Sequence, residues 1–147
     1  MTDRFDIIHD FFNSFFKAKT NLMKINQALI EPTGLSFSSW QLVIHILTHE
    51  KYEQQGMTTA ELAEDLLISR QAVQKHIKLL LEDEVLCVRE NTNDKRSLYY
   101  CLSPKGEELC QSVLDEIYRD WMLDNMKNFS VAEIQQAMKI LTHLAKL

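Results

Sequence analysis

The middle of the chain constrains the fold more than any other part, because two helix patterns are followed directly by two strand patterns. Thr58 is the natural cap of a short amphipathic helix, and Ser69 is the natural cap of the next helix. Residues 85–89 and 98–102 are both β-prone, and the polar, basic segment 91–97 separates them, as in a hairpin. The order of helix, turn, helix and hairpin predicts a winged helix-turn-helix.

The exposed side of the second helix carries polar and basic residues, opposite the apolar residues Val73, Ile77 and Leu80. Arginine can bind guanine, and glutamine adenine, through two hydrogen bonds, whereas lysine suits a phosphate. Basic residues at the wing tip can enter a narrow minor groove. The predicted contacts with double-stranded DNA are the cap Ser69, the helix residues Arg70, Gln71, Gln74, Lys75 and Lys78, and the wing residues Arg89, Lys95 and Arg96.

The alternative for this helix side and for the wing tip is an ordinary solvated surface. Arg89 is equally compatible with a phosphate contact and with pairing to Glu90 or Asp94, and Asp94 could orient Arg96 by a charge-assisted bond. The charge distribution favours DNA binding. Residues 67–105 hold seven basic and five acidic residues, whereas the rest of this chain of net charge −5 holds nine basic and sixteen acidic residues. Exposed charges farther than about 10 Å away are largely screened at ~0.1 M salt, so the basic part can still engage phosphates.

Long amphipathic helices are predicted at both ends of the chain. The first covers about residues 6–30, and the last two begin at Pro104 and at Ser130, which forms a capping box with Glu133. Their apolar residues exceed what packing on a small domain requires, which predicts contact with another subunit. A two-fold homodimer is the simplest closed assembly and would present two recognition helices about one DNA turn apart, or a multiple of it.

The predicted fold class is mainly α with a small β-hairpin wing. A capping box of Ser38 with Gln41 predicts the start of the second helix. We expect a winged helix-turn-helix DNA-binding lobe at residues 37–103. Residues 1–36 and 104–147 are expected to form a helical dimerisation region.

Two stretches carry a family resemblance. Residues 66–73, Leu-Leu-Ile-Ser-Arg-Gln-Ala-Val, resemble the helix-turn-helix of the MarR family of bacterial transcriptional regulators. Residues 94–106 resemble the wing signature of that family, D-x-R-x5-L-[ST]-x-x-G. The matching positions are Asp94, Arg96, Leu102, Ser103 and Gly106. One departure is Glu84, which stands where the family usually has Gly in the turn after the recognition helix, and this predicts a turn of different shape.

The resemblance implies a homodimer built from the first and last two helices, with transcriptional control that is commonly repression. It also implies release by small aromatic or phenolic ligands or by oxidation. The sequence therefore predicts a sequence-specific DNA-binding transcriptional regulator, in the first instance a repressor, that binds a pseudo-palindromic operator as a homodimer. The alternative is a winged-helix adaptor that binds proteins and has no specific DNA site.

Aromatic residues raise the question of a ligand pocket. Trp40, Phe12 and Phe15 could line a cleft for a small aromatic ligand between the dimer helices and the DNA lobe. The alternative is that these side chains belong to the core and the dimer interface, as aromatic stripes usually do.

The positions of the histidines and cysteines favour structural roles. His45 and His49 have the i, i+4 spacing of metal ligands, but zinc needs further ligands, so no metal and no cofactor are predicted. Cys87 and Cys101 lie on opposite predicted strands and could face each other, as structural thiols or as a redox pair.

No catalytic motif is present, so the chain is not predicted to be an enzyme, and an enzyme using the aromatic cleft is the weakest rival. No apolar run approaches the roughly 20 residues needed to span a bilayer. The N-terminus does not resemble a secretory signal. A cytoplasmic protein without membrane contact is therefore expected.

Overall fold

The computed structural model describes residues 1–147 and confirms a mainly helical fold with one hairpin. Two compact units are formed, residues 1–113 and 114–147. The first contains α1 (Arg4–Leu29), a 3-10 turn (Glu31–Thr33), α2 (Phe37–Glu53), α3 (Thr59–Leu66), α4 (Arg70–Glu82), β1 (Leu86–Arg89), β2 (Tyr99–Leu102) and α5 (Pro104–Val113). The second contains a π-helical turn (Leu114–Tyr118), α6 (Arg119–Met126) and α7 (Val131–Leu144). The assignment of residues 1–36 and 104–147 to dimerisation stays a prediction.

Side-chain caps fix where the helices begin. Thr58, Ser69 and Ser130 cap α3, α4 and α7 as predicted, each accepting a hydrogen bond from the third residue of its helix. The predicted capping box of Ser38 with Gln41 is wrong. Ser36 caps α2 instead, because its extended backbone lets its Oγ accept from the amide of Ser39 at 3.2 Å, and Ser38 already lies within the first helical turn.

The core of the first unit forms where α2, α3, α4 and the hairpin meet. The apolar side of α4 is buried as predicted, and it faces α2 and α3. Burying each large side chain stabilises the fold by about 1.5–3 kcal/mol. The fully buried side chains include Leu42, Val43, Ile46, Met57, Leu62, Val73 and Leu80. This shared core fixes α4 relative to α2 and to the hairpin.

The hairpin is antiparallel and attached to the lobe. Leu86 pairs with Leu102 and Arg89 with Tyr99. Met57 adds a bridge to Tyr100, with backbone N–H···O distances of 3.0 and 2.8 Å. The wing is therefore held at its base by three backbone segments, and only its tip is free.

Three residues with side chains adopt left-handed backbone conformations, Gln54, Leu67 and Glu84, with φ of 57°, 55° and 59°. Such a conformation costs roughly 1–2 kcal/mol for a residue with a Cβ. The prediction of a differently shaped turn at Glu84 is wrong, because the backbone there keeps the conformation that glycine favours at helix ends, although Glu84 occupies it.

The second unit differs from the predicted regular helix after Pro104. The π-helical turn Leu114–Tyr118 holds more residues per turn than an α-helix, so an apolar stripe of period 3.6 does not continue straight through it. Neither α6 nor α7 contains a buried residue. These helices expose the apolar side chains Met122, Leu123, Met126, Val131, Met138, Ile140 and Leu141.

Candidate nucleic-acid interface

The helix α4, whose exposed side carries the predicted DNA contacts, begins at a side-chain cap. Ser69 Oγ accepts a hydrogen bond from the amide of Ala72 at 3.1 Å. Val73, Ile77 and Leu80 are buried on the opposite side of the helix. All predicted contact residues of this helix are exposed: Arg70, Gln71, Gln74, Lys75 and Lys78. The structure thus brings them together on one polar side that projects from the lobe.

The basic side chains predicted to contact DNA form no ion pair within the protein. The ion pairs of the structure involve other residues, such as Lys127 with Asp124. Charges without an internal partner are available to bind phosphates. Such binding would release the counterions that are condensed on DNA. We call the following set the basic surface: Arg70, Lys75 and Lys78 on α4, with Arg89, Lys95 and Arg96 on the wing.

Two side chains shape the wing tip. Asn91 Oδ1 accepts hydrogen bonds from the amides of Asn93 and Asp94, at 3.0 and 3.3 Å. Asp94 Oδ1 in turn accepts from the backbone amide of Arg96 at 3.0 Å. Asp94 therefore orients Arg96 by a charge-assisted bond, as predicted, and the bond is made to the backbone amide. The side chain of Arg96 remains exposed at the tip.

Arg89 pairs with neither of the carboxylates considered for it, Glu90 and Asp94. Its charge does act on two groups near the base of the wing. Burial raises the pKa of Glu50 and of Cys101, and the positive charge of Arg89 opposes that rise in both cases. Arg89, the last residue of β1, thus lies at the edge of the basic surface, and its charge acts on groups nearer the base of the hairpin.

Two histidines join the helix-turn-helix to α2, a role that the sequence did not reveal. His76 of α4 has Nδ1 at 3.1 Å from Oγ of the buried Ser39. His45 of α2 has Nε2 at 2.9 Å from Asp65 of α3. His49 bonds elsewhere, to the carbonyl of Gln55 at 3.1 Å. The i, i+4 pair therefore has separate local partners, and no group of three metal-binding side chains is found in the structure.

The wing signature has a structural explanation at its C-terminal end. Ser103 Oγ donates to the carbonyls of Glu84 and Val85, and it accepts from the amide of Gly106 at 3.0 Å. A Cβ at Gly106 would clash with the carbonyl oxygen of Val85. These two residues therefore join the end of β2 and the start of α5 to the turn after α4.

A carboxylate anchors the other side of the wing. Glu50 Oε1, near the C-terminal end of α2, accepts a hydrogen bond from the amide of Leu102 at 3.1 Å. Burial raises the pKa of Glu50, and the hydrogen bond from Leu102 opposes the rise. The sequence could not reveal this contact, because the two residues lie 52 positions apart.

The cysteines are positioned as structural thiols. Cys87 and Cys101 pair across the hairpin as predicted, and both are free. Burial raises the pKa of Cys101 to about 11 and that of Cys110 to about 12. Thiols with such values hold little reactive thiolate at neutral pH.

The residues considered for a ligand pocket differ in exposure. Trp40 is buried near the start of α2, whereas Phe12 on α1 is 36% exposed and Phe15 is half-buried. Phe12 stacks edge-on with Phe11, with ring centroids 5.5 Å apart. Phe15 makes a similar contact with Phe16 at 5.4 Å. The two α1 residues thus lie in an aromatic row along one helix.

A capped helix with a basic outer side, packed through a turn on α3 and followed by a basic two-stranded wing, defines a winged helix-turn-helix protein. A family model described as the MarR family matches residues 33–97. The predicted resemblance to that family is thus confirmed over the winged helix-turn-helix, residues 33–97.

Several known proteins are similar over almost the whole chain. A protein of Staphylococcus aureus (strain MSSA476), named an uncharacterized HTH-type transcriptional regulator, is 24% identical over 94% of this chain and 92% of its own. The structure of S. aureus MarR in complex with salicylate and kanamycin has a TM-score of 0.77 at 24% identity, covering 94% of this chain and 89% of that one.

A mutant of MarR from E. coli, complexed with operator DNA, has a TM-score of 0.76 at 17% identity and covers 97% of this chain and 99% of that one. These structural likenesses establish the fold. As for membranes, none of the helices combines the length and apolarity that a bilayer crossing requires.

Proposed function

We propose that this protein is a sequence-specific transcriptional regulator that binds a pseudo-palindromic DNA operator as a homodimer and represses the adjacent gene. The observation that carries the proposal is the basic surface. Six unpaired cations project from α4 and the wing of a chain whose net charge is −5. An adaptor that bound only proteins would not need six exposed cations on one surface, whereas a DNA-binding protein would use them to contact phosphates.

Roles within the interface follow from chemistry and position. Arg70, Gln71 and Gln74 occupy the first half of α4, the end of a recognition helix that usually meets base edges, and their side chains can make two hydrogen bonds to a base. Lys75 and Lys78 suit phosphates, as do Ser69 and Arg89 at the margins. Lys95 and Arg96 at the wing tip suit the minor groove.

Exposed apolar surface on the terminal helices supports the homodimer. The chain exposes large apolar side chains at both ends, including Phe5, Phe16, Val131 and Met138. Exposed apolar residues in such numbers on a helix usually mark an interface. A two-fold dimer would cover the same surface on both copies and would pair the two recognition helices.

The aromatic side chains of α1 and α2 bear on a ligand response. The similar S. aureus MarR was solved with salicylate and kanamycin, and this chain has an aromatic row on α1 and a buried tryptophan, Trp40, on α2. We propose that a small aromatic ligand near Trp40, Phe12 and Phe15 reduces operator affinity. Repression is the simpler mode of control, because occupancy of the operator is then sufficient.

One experiment tests the central proposal. The purified full chain is used to select sites from a random duplex pool, its mass on the selected site is measured by sedimentation, and affinity is titrated at fixed salt. We expect an enriched inverted repeat bound by two copies of the chain. We also expect Arg96→Ala to weaken binding by more than about 1 kcal/mol with the fold intact. Failure to enrich any sequence would refute the regulator and favour the adaptor.

A further inference from the structure

Leu67, in the turn between α3 and α4, is an unusual residue for the left-handed C-cap that ends α3. Its φ of 55° lies in the left-handed region, which is unfavourable for a residue with a Cβ. Its side chain is 78% exposed, so the leucine gains little from burial. Of the three left-handed residues with side chains, the other two are the polar Gln54 and Glu84. A strained and exposed apolar residue indicates a role outside the fold.

The position of Leu67 connects it with the proposed DNA interface. It ends α3, where its amide and that of Ile68 bond back to the carbonyls of Glu64 and Ala63. Ile68 is itself 40% exposed, and the cap of α4 follows immediately. Leu67 therefore stands two residues before Ser69, at the end of the recognition helix that usually faces base edges.

We propose that Leu67 is a specificity-determining residue that packs against the C5-methyl group of a thymine in the major groove of the operator. The inference rests on the proposed function and adds a residue to it. The thymine methyl is the apolar group on the major-groove edge of the bases, and apolar side chains recognise it by contact. DNA is the occupant because the exposed pair of Leu67 and Ile68 directly precedes Ser69, the cap of the helix whose exposed side carries the basic surface.

The proposal is tested by removing one methyl group at a time from the DNA. Each thymine of the duplex selected by the full chain is replaced by deoxyuridine, which lacks only the C5-methyl, and affinity is measured by fluorescence anisotropy. We expect one thymine per half-site at which the replacement weakens binding about fourfold, the factor that corresponds to burying one methyl-sized group. The variants Leu67→Gly and Leu67→Ala should bind the thymine duplex and the deoxyuridine duplex with equal affinity. Leu67→Met, which keeps a large apolar side chain, should keep the preference for thymine.

A matched control separates recognition from strain. Glu84→Gly relieves the same left-handed conformation at the opposite end of α4, and it should keep the wild-type preference for thymine. Leu67→Gly should melt at a temperature no lower than wild type, so that weaker binding cannot be assigned to unfolding.

The possible failures are distinguishable. If sites are selected and bound but no thymine depends on Leu67, the recognition of a methyl group is refuted and DNA binding stands. If the full chain selects no sequence at all, the proposed function fails together with this inference.

Discussion

Replacing Lys78 by glutamine tests whether the basic surface contacts phosphates. Lys78 is exposed on α4, three residues after Lys75, and has no ion-pair partner. Each neutralised phosphate contributes about −0.9 to the slope of log K against log salt concentration. If all six cations of each of two subunits met phosphates, the slope would be roughly −11. Because a dimer contains two copies of Lys78, Lys78→Gln should make the slope less steep by about 1.8.

The assay is anisotropy of a labelled duplex carrying the selected site, titrated at several salt concentrations between ~50 and ~200 mM, the range over which phosphate contacts dominate affinity. Lys127→Gln is the matched control, since it changes the net charge equally but removes a lysine paired with Asp124 at 3.0 Å. An unchanged slope for Lys78→Gln would refute the phosphate contact. An equal change in both variants would show that net charge matters and position does not.

Three stability predictions follow from the same lobe. Glu84→Gly should raise the free energy of unfolding by about 1 kcal/mol in urea titrations, because glycine adopts φ of 59° without strain; a loss would refute strain there. Gly56→Ala should lower it by about 2 kcal/mol relative to Gln55→Ala, because a Cβ would clash with the carbonyl of Tyr100; equal stability would refute the close packing. The raised pKa of Glu50 means that its contribution to stability falls as pH rises above the ordinary 4.5. Glu50→Gln keeps the hydrogen-bond acceptor, so its free energy of unfolding should increase relative to that of the wild type as pH rises from 4.5 to neutrality. A difference in free energy of unfolding that did not change with pH would refute the buried charge.

Structural features that depend on residues only a few positions apart can be predicted from the sequence. Caps such as Thr58 and Ser69 satisfy amides three positions away, so their spacing alone predicts them. The two sides of α4 follow from helical period in the same way. The wrong cap at Ser38 has a local cause too, because Ser36, two residues earlier, has the extended backbone of a cap and accepts a hydrogen bond from the amide of Ser39.

Contacts between distant residues could not be predicted. The bond between Ser39 and His76 joins positions 37 apart, and its partners become neighbours only when α4 packs on α2. The π-helical turn at Leu114–Tyr118 lies within an ordinary helical pattern of residues, so periodicity gave no signal for it. Glu84 shows a related limit, since tertiary bonds from Ser103 to the carbonyls of the turn hold a conformation that its residue type disfavours.

These distant contacts bear on how the proposed regulator would be controlled. Glu50 and Met57 hold the wing from the side of α2, and Ser103 holds it from the side of α5. His76 joins α4 to the same α2 helix. Because helix and wing share one buried core, a ligand gains little by moving one against the other within a lobe, and packed cores resist continuous deformation. We therefore expect a releasing ligand to act by changing the separation of the two lobes in the dimer, which fixes the half-site spacing that both recognition helices can reach together.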